Sequence, residues 1–436
     1  MKYAYIATGA ANMYCGSCMR DNTLVAAMKA LGHDVVMLPM YTPLRVDEES
    51  VSEGYVFYGG IEAYLLQQYP KKSFWRNMML KVAGSQAIVR MLPRFDIGSN
   101  VDPAQNADMT LSMLRGEHGN QTSLLMEMVE WMDTSLKPDL VHITNTLISG
   151  IAPTIKRHLN VPVICGLHGE DIFIDGLPEP QRTQALQLIR ENCQHIDHFI
   201  AISQYYADYF GPLIGLDPAK VTLVRPGIAL DEYAANVRQD QPDAPLTIGY
   251  LARISPEKGL HLLAEAFILL CQSGQFPDLR LKASGYLSQV HAHYVKDIQE
   301  RLEQAGVADR VEILGTVDRQ QKLEFLRSIG LFAVPTIYRD PKGLPVLEAL
   351  ANGVPVVQPN HGAFPELIHA TNGGLLHEPE NVADLANKLA SLLTDATKRR
   401  TLGENGKTAV NNHFSAQRMA EETIQTYQAL FAQESS

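Results

Sequence analysis

The sequence predicts two doubly wound, Rossmann-like α/β domains, and three observations carry that expectation. Short apolar segments alternate with amphipathic stretches almost throughout, the pattern of parallel sheets flanked by helices. The strand-like segments fall into two sets of six, separated at residues 236–245 by a polar, proline-bearing stretch without periodicity that reads as a linker. The chain is 436 residues long and 46% hydrophobic, enough for two or three domains with large cores.

In chain order, strands are expected at 2–7, 34–39, 139–144, 161–167, 197–202 and 221–225 in the first half. The second half should contribute 246–251, 279–284, 310–314, 330–335, 354–358 and 373–376. The first domain is therefore read as 1–235 with an insert at about 41–118, and the second as 246–414. A last helix follows within 415–436. Two such domains would bind ligands in a cleft outside the carboxyl ends of their strands.

A net charge of −11 argues against a nucleic-acid partner, whose phosphates need a broad basic surface. No apolar run approaches 18 residues, and the N-terminus enters a strand directly, so neither a signal peptide nor a membrane span is expected. Five cysteines in a chain of this size suit a reducing compartment, which points to the cytoplasm. One segment departs from the acidic average. Residues 63–95 lack Asp and Glu but carry Lys71, Lys72, Arg76, Lys81, Arg90 and Arg94, interleaved with Phe74, Trp75, Met78, Met79 and Leu80. Such a segment is either a helical hairpin with a solvated basic face or a peripheral contact with the inner face of a membrane.

The densest chemistry lies between Asp340 and Glu366. Asp340, Pro341, Lys342, Gly343 and Leu344 read as a loop leading into a helix. Pro341 is expected at its start, Glu348 two turns in, and Gly353 at its end. Free N–H groups of Lys342, Gly343 and Leu344 at that start would form an anion site, and the glycine would let a phosphate or sugar approach the backbone. Upstream, Arg253 and Lys258 bracket a strand-to-helix turn and can converge on one diphosphate, Arg as a flat fork and Lys as a point charge. Gly285 and Gly315 stand at further strand ends. In the first half, Gly16 follows the turn after the first strand, and His168 closes the strand at 161–167. A Rossmann G-x-G-x-x-G is absent, which leaves a nicotinamide cofactor without support. Cys15 and Cys18 form a C-x-x-C that would suit a redox role, but without a second pair they lack the ligands of a metal site, and lining a pocket is the simpler role.

These residues resemble the retaining family-4 glycosyltransferases of the GT-B fold. The likeness covers most of 1–36 and 160–430 and leaves 40–130 unmatched. The family's donor motif is two glutamates with seven residues between them and Phe-Gly-Leu inside. Here the second is Glu348, the Gly-Leu is Gly343 and Leu344, the first carboxylate is Asp340, and the phenylalanine is Lys342. Arg253 to Gly259 is similar to the family's Arg-x-x-x-x-Lys-Gly, Gly16 to the second glycine of its first loop, and His168 to a histidine that faces the cleft near the transferred sugar. The resemblance implies a nucleoside-diphosphate sugar donor, UDP- or GDP-linked, whose hexose moves with retention to a glycan, lipid or small-molecule acceptor. It also implies that the last helix, at about 415–433, crosses back to the first domain. Glu348 would hold the ribose, Asp340 would reach the hexose, His168 would sit by its reacting face, and Gly285 would line the nucleotide. No Asp-x-Asp occurs and the diphosphate already has cations, so neither a metal nor another cofactor is expected. A catalytically silent sugar-nucleotide-binding protein, or an epimerase or phosphorylase on the same fold, are the competing expectations.

Overall fold

The computed structural model describes residues 1–9, 15–53, 56, 66–67, 103–234 and 246–434. The linker at 236–245 and nearly all of the basic segment at 63–95 lie outside them. All twelve expected strands form. They are β1 (Lys2–Ala7), β2 (Asp34–Pro39), β3 (Leu140–Ile143), β4 (Val163–Leu167), β5 (His198–Ala201) and β6 (Val221–Leu223). The second set is β7 (Thr247–Leu251), β8 (Arg280–Ser284), β9 (Val311–Ile313), β10 (Leu331–Ala333), β11 (Val356–Pro359) and β12 (Gly374–His377). Every pairing is parallel, and most central strands are buried on both faces, which is why they read as continuous apolar runs.

The chain divides into one unit of Met1–Arg225 with Met419–Ser436 and a second of Pro226–Arg418. The first unit thus ends ten residues before the expected boundary at 235. The cause is packing: Ile228 and Tyr233 bury their side chains in the second core. The outgoing and returning strands of chain are also stitched together, Ile228 N donating to Phe414 O (2.9 Å) and Ala416 N to Ile228 O (2.9 Å).

In the first unit the sheet order is β2-β1-β3-β4-β5-β6. Alternation along β1 sends Ala4 and Ile6 into one core and Tyr3, Tyr5 and Ala7 into the other. The Tyr3 face is covered by two helices. Gly16–Ala30 contributes Cys18, Leu24, Val25 and Met28, and Ala416–Glu434 contributes Met419, Ala420, Ile424, Tyr427 and Leu430. Each large apolar side chain buried this way contributes roughly 2 kcal/mol.

In the second unit the order is β12-β11-β10-β7-β8-β9. Counted from β7, this is the 3-2-1-4-5-6 arrangement of doubly wound sheets, and its strand order reverses between β7 and β10. In the first sheet the reversal falls between β1 and β3. Loops leaving the carboxyl ends of these four strands are therefore where ligand chemistry is expected.

Candidate functional site

In the second unit, the loops after β7 and β10 bring Lys258 and Asp340 together. Lys258 ends the short turn Pro256–Lys258, and Gly259 behind it adopts φ +73° so that the helix Leu260–Gln272 can start at once. The β10 loop is pinned to this turn, Ile337 N (3.0 Å) and Tyr338 N (3.3 Å) both donating to Glu257 O. Lys258 Nζ donates to Asp340 Oδ2 (2.7 Å) and lies 5.1 Å from the centre of the Tyr338 ring. Both side chains of the pair are largely buried, at 13% and 16% exposure.

The anion at the following helix start is Asp340 itself. Its Oδ1 accepts from Lys342 N (2.9 Å) and Gly343 N (3.2 Å), so two of the three amides expected to meet a ligand are already bonded. This turn also moves the helix start. Gly343, at φ +67°, caps the helix, which runs Leu344–Ala351 with Pro345 in its first turn. Pro341 therefore lies in the loop, where the Asp340 turn takes the position assigned to the helix, and Pro345 supplies the proline that a first turn tolerates. Burial alone would raise the Asp340 carboxyl, but Lys258, Lys342 and the amides hold it well below the usual carboxylate range. Its stabilising contribution is thus present above the unfolded carboxylate value and lost as pH falls towards the lowered folded one.

Glu348 is the fifth residue of that helix and is 5% exposed. Three donors crowd one of its oxygens. Lys322 Nζ hydrogen-bonds Oε1, Tyr233 Oη donates to it (3.1 Å), and Arg319 Nη1 lies 3.9 Å away. Arg319 also donates to Tyr233 Oη (3.3 Å) and to Glu232, with its guanidinium carbon 5.1 Å from the Tyr233 ring centre. Lys322 is buried because the helix Arg319–Ser328, set by an Asp318–Gln321 capping box, turns Lys322, Leu323 and Leu326 inward. Sequence reasoning passed over Lys322, Arg319 and Tyr233. The available signal was a lysine on the apolar face of a helix, which demands a buried partner.

Arg253 is 43% exposed, with its Nη2 3.3 Å from Oε1 of Glu257, the residue before Lys258. Gly285 closes β8, its N donating to Gly315 O (2.8 Å), and a Cβ there would meet Ala252 O at 1.6 Å. Ser284 Oγ donates to the same carbonyl (2.9 Å), so the expected strand-end glycines at 285 and 315 do lie side by side.

In the first unit, Gly16 is the first residue of the helix after β1, with Cys15 as its cap; residues 10–14 before them lie outside the described residues. Cys18 packs into the core instead of facing solvent. His168, which the resemblance likens to a histidine near the transferred sugar, follows β4, and its side chain is 1% exposed. The imidazole folds back over Gly166, where a Cβ would meet Nε2 at 2.6 Å, and Nδ1 lies 3.6 Å from Asp21 Oδ1. Asp21 is wholly buried. It accepts from Tyr5 Oη (2.7 Å), Arg20 Nη1 (3.2 Å) and Thr144 Oγ1. Burial raises its carboxyl against the pull of Arg20. The His168 amide donates to Glu170 Oε2 (2.8 Å), and Glu170 also takes Thr146 Oγ1 (2.9 Å) and Tyr206 Oη (3.2 Å). Beside it, burial pushes the Asp171 carboxyl up to about 6.

Among the described residues no group of three His, Cys, Asp or Glu could hold a metal ion, and no helix is long and apolar enough to cross a membrane. The family described as Glycosyl transferases group 1 matches residues 235–409, and the one described as Glycosyltransferase Family 4 matches residues 110–232. Glycogen synthase of Mycobacterium tuberculosis is 26% identical over 304 residues, 68% of this chain and 70% of that protein. D-inositol 3-phosphate glycosyltransferase of Stackebrandtia nassauensis is 31% identical over 214 residues, 47% of this chain and 48% of that protein. Among solved structures, Anabaena HepE in complex with UDP superposes with a TM-score of 0.68 at 16% identity, covering 98% of this chain and 100% of that one. Sucrose-phosphate synthase from Thermosynechococcus elongatus gives 0.68 at 18% identity, with 99% and 100% covered. At these identities the two structures speak for the fold, and the two family matches, which follow one another over residues 110–232 and 235–409, speak for the family. The chain belongs to the family-4 glycosyltransferases and has their two-domain GT-B fold.

Proposed function

We propose that the protein moves a hexose from a UDP- or GDP-sugar to a glycan, lipid or small-molecule acceptor, with retention at the anomeric carbon and without a metal. The observation that carries this reading is the meeting of Lys258 and Asp340 at the β7/β10 reversal, one helical element ahead of the buried Glu348. A nucleoside diphosphate is a good leaving group, so it needs positive charge more than a carboxylic acid to protonate it. In this reading Lys258, Arg253 and the amide of Leu344 face the diphosphate, with Lys342 beside them. Asp340 reaches the hexose while holding the loop, Glu348 holds the ribose, and Gly285 lines the nucleotide. Similar proteins support a sugar-nucleotide donor: HepE was solved with UDP-glucose, and the relatives include a glycogen synthase and a D-inositol 3-phosphate glycosyltransferase.

The test is turnover of UDP- and GDP-hexoses by the full chain, with and without a panel of glycan, lipid and polyol acceptors. Nucleotide release that requires an acceptor, with an axial or equatorial product bond matching the donor's, is the expected result. Epimerised sugar nucleotide without release would move the assignment to an epimerase, and binding without any turnover to a silent binding protein.

A further inference from the structure

Glu348 is an anion buried inside a protein domain, and an isolated carboxylate there would be strongly unfavourable. Its compensation is lopsided. Lys322 Nζ and Tyr233 Oη both hydrogen-bond Oε1, and Arg319 Nη1 approaches that same atom. These donors come from outside the helix that carries Glu348: Lys322 and Arg319 from the helix Arg319–Ser328, Tyr233 from the short helix Asp231–Ala234. Asn352 Nδ2 holds the Glu348 carbonyl (2.9 Å), which fixes the backbone beneath the side chain. With one oxygen held by donors from two other elements, the carboxylate is oriented, and its second oxygen points along a set direction.

We infer that Lys322 is the positioning residue for Glu348, and that together they make the nucleotide site selective for a ribose diol over a deoxygenated ribose. This rests on the reading above, in which Glu348 meets the donor's ribose. Lys322 does not touch the ligand. It holds Glu348 turned so that Oε2 accepts from the 2′- and 3′-hydroxyls through charge-assisted bonds. A site built to accept from hydroxyls rejects an analogue that lacks them, because the buried acceptor then goes unbonded. A structural lysine would behave differently, since its loss would weaken every nucleotide alike.

The experiment is calorimetric titration of the full chain with UDP, GDP and ADP and with the 2′,3′-dideoxy form of whichever binds. Wild type is expected to bind the diol at least tenfold more tightly. Lys322→Met should lose most of that preference by weakening the diol at least tenfold while changing the dideoxy form less than twofold, and Lys322→Arg should restore part of it. Because Lys322→Met strands a buried carboxylate, Lys322→Met with Glu348→Gln is the companion protein. It buries no unpaired charge and should bind both forms alike. Equal weakening of both ligands, an unchanged preference, or a double variant that keeps the preference would overturn the inference while leaving the donor site standing. Failure of all three nucleotides to bind wild type would overturn the donor site itself, and the inference with it.

Discussion

Replacing Lys258 by alanine is expected to lower kcat by 10²- to 10³-fold, because a preorganised donor at a developing negative charge is worth about 3–4 kcal/mol in the transition state. The structure sharpens this expectation, since Lys258 is already paired with Asp340 at 2.7 Å. Losing the ammonium therefore has a second consequence: it leaves a largely buried carboxylate with the amides of Lys342 and Gly343 and the nearby Lys342 charge. Lys258→Ala should lower the unfolding midpoint as well as the rate. Lys258→Ala with Asp340→Asn separates the two effects, because it removes the stranded charge. The double variant is expected to regain stability and to remain inactive in steady-state turnover with the best donor. Recovery of both properties would mean that Lys258 only serves the fold.

Gly259→Ala is expected to be strongly destabilising. A Cβ there would lie 1.9 Å from Pro335 O and 2.8 Å from Pro335 C, both main-chain atoms, at a backbone φ of +73°. The left-handed conformation alone costs about 1–2 kcal/mol. Relieving the overlap must push the Lys258 turn away from the end of β10, and the sum should be on the order of 3 kcal/mol or more in denaturant unfolding. Gly274 is the matched control, with φ +71° and nothing within 4 Å of a Cβ. Gly274→Ala should cost only the conformational part. Equal losses in the two variants would show that β7 and β10 do not need this close approach.

The sheets were legible because most central strands are short runs buried on both faces with a glycine, a proline or a polar residue within two positions of their end, so a short run and its stop signals suffice. The unit boundary was less so. Residues 226–234 show no helical or strand periodicity to declare an owner, and it is Ile228, Tyr233 and Leu230 that pack against the second core. The types of site residue were also legible, since Lys258, Asp340 and Glu348 stand at the strand-end and helix positions where charge has a purpose. Their partners were not. The Lys322–Glu348 contact closes over 26 residues and the Tyr233–Glu348 contact over 115, distances at which a single sequence carries no pairing information. A weaker trace did exist. Asp21 sits in the stripe of Leu24, Val25 and Met28, and Lys322 in that of Leu323 and Leu326, and a charge in an apolar stripe marks a buried partner. The Asp340 turn was hidden for a different reason: a carboxylate beside a helix start can bind the amides itself or leave them to a ligand, and both use the same residues.

The central claim is that Lys258 and Glu348 belong to one nucleotide-sugar site, and thermal unfolding against UDP, GDP, ADP, TDP and their sugar conjugates tests it most directly. A nucleotide at about 100 times its Kd should add roughly 2.7 kcal/mol to the folded state. The expected result is that one base raises the wild-type midpoint, and that the rise shrinks in Glu348→Ala and in Lys258→Ala. No rise with any nucleotide, or a rise of equal size in all three proteins, would contradict it.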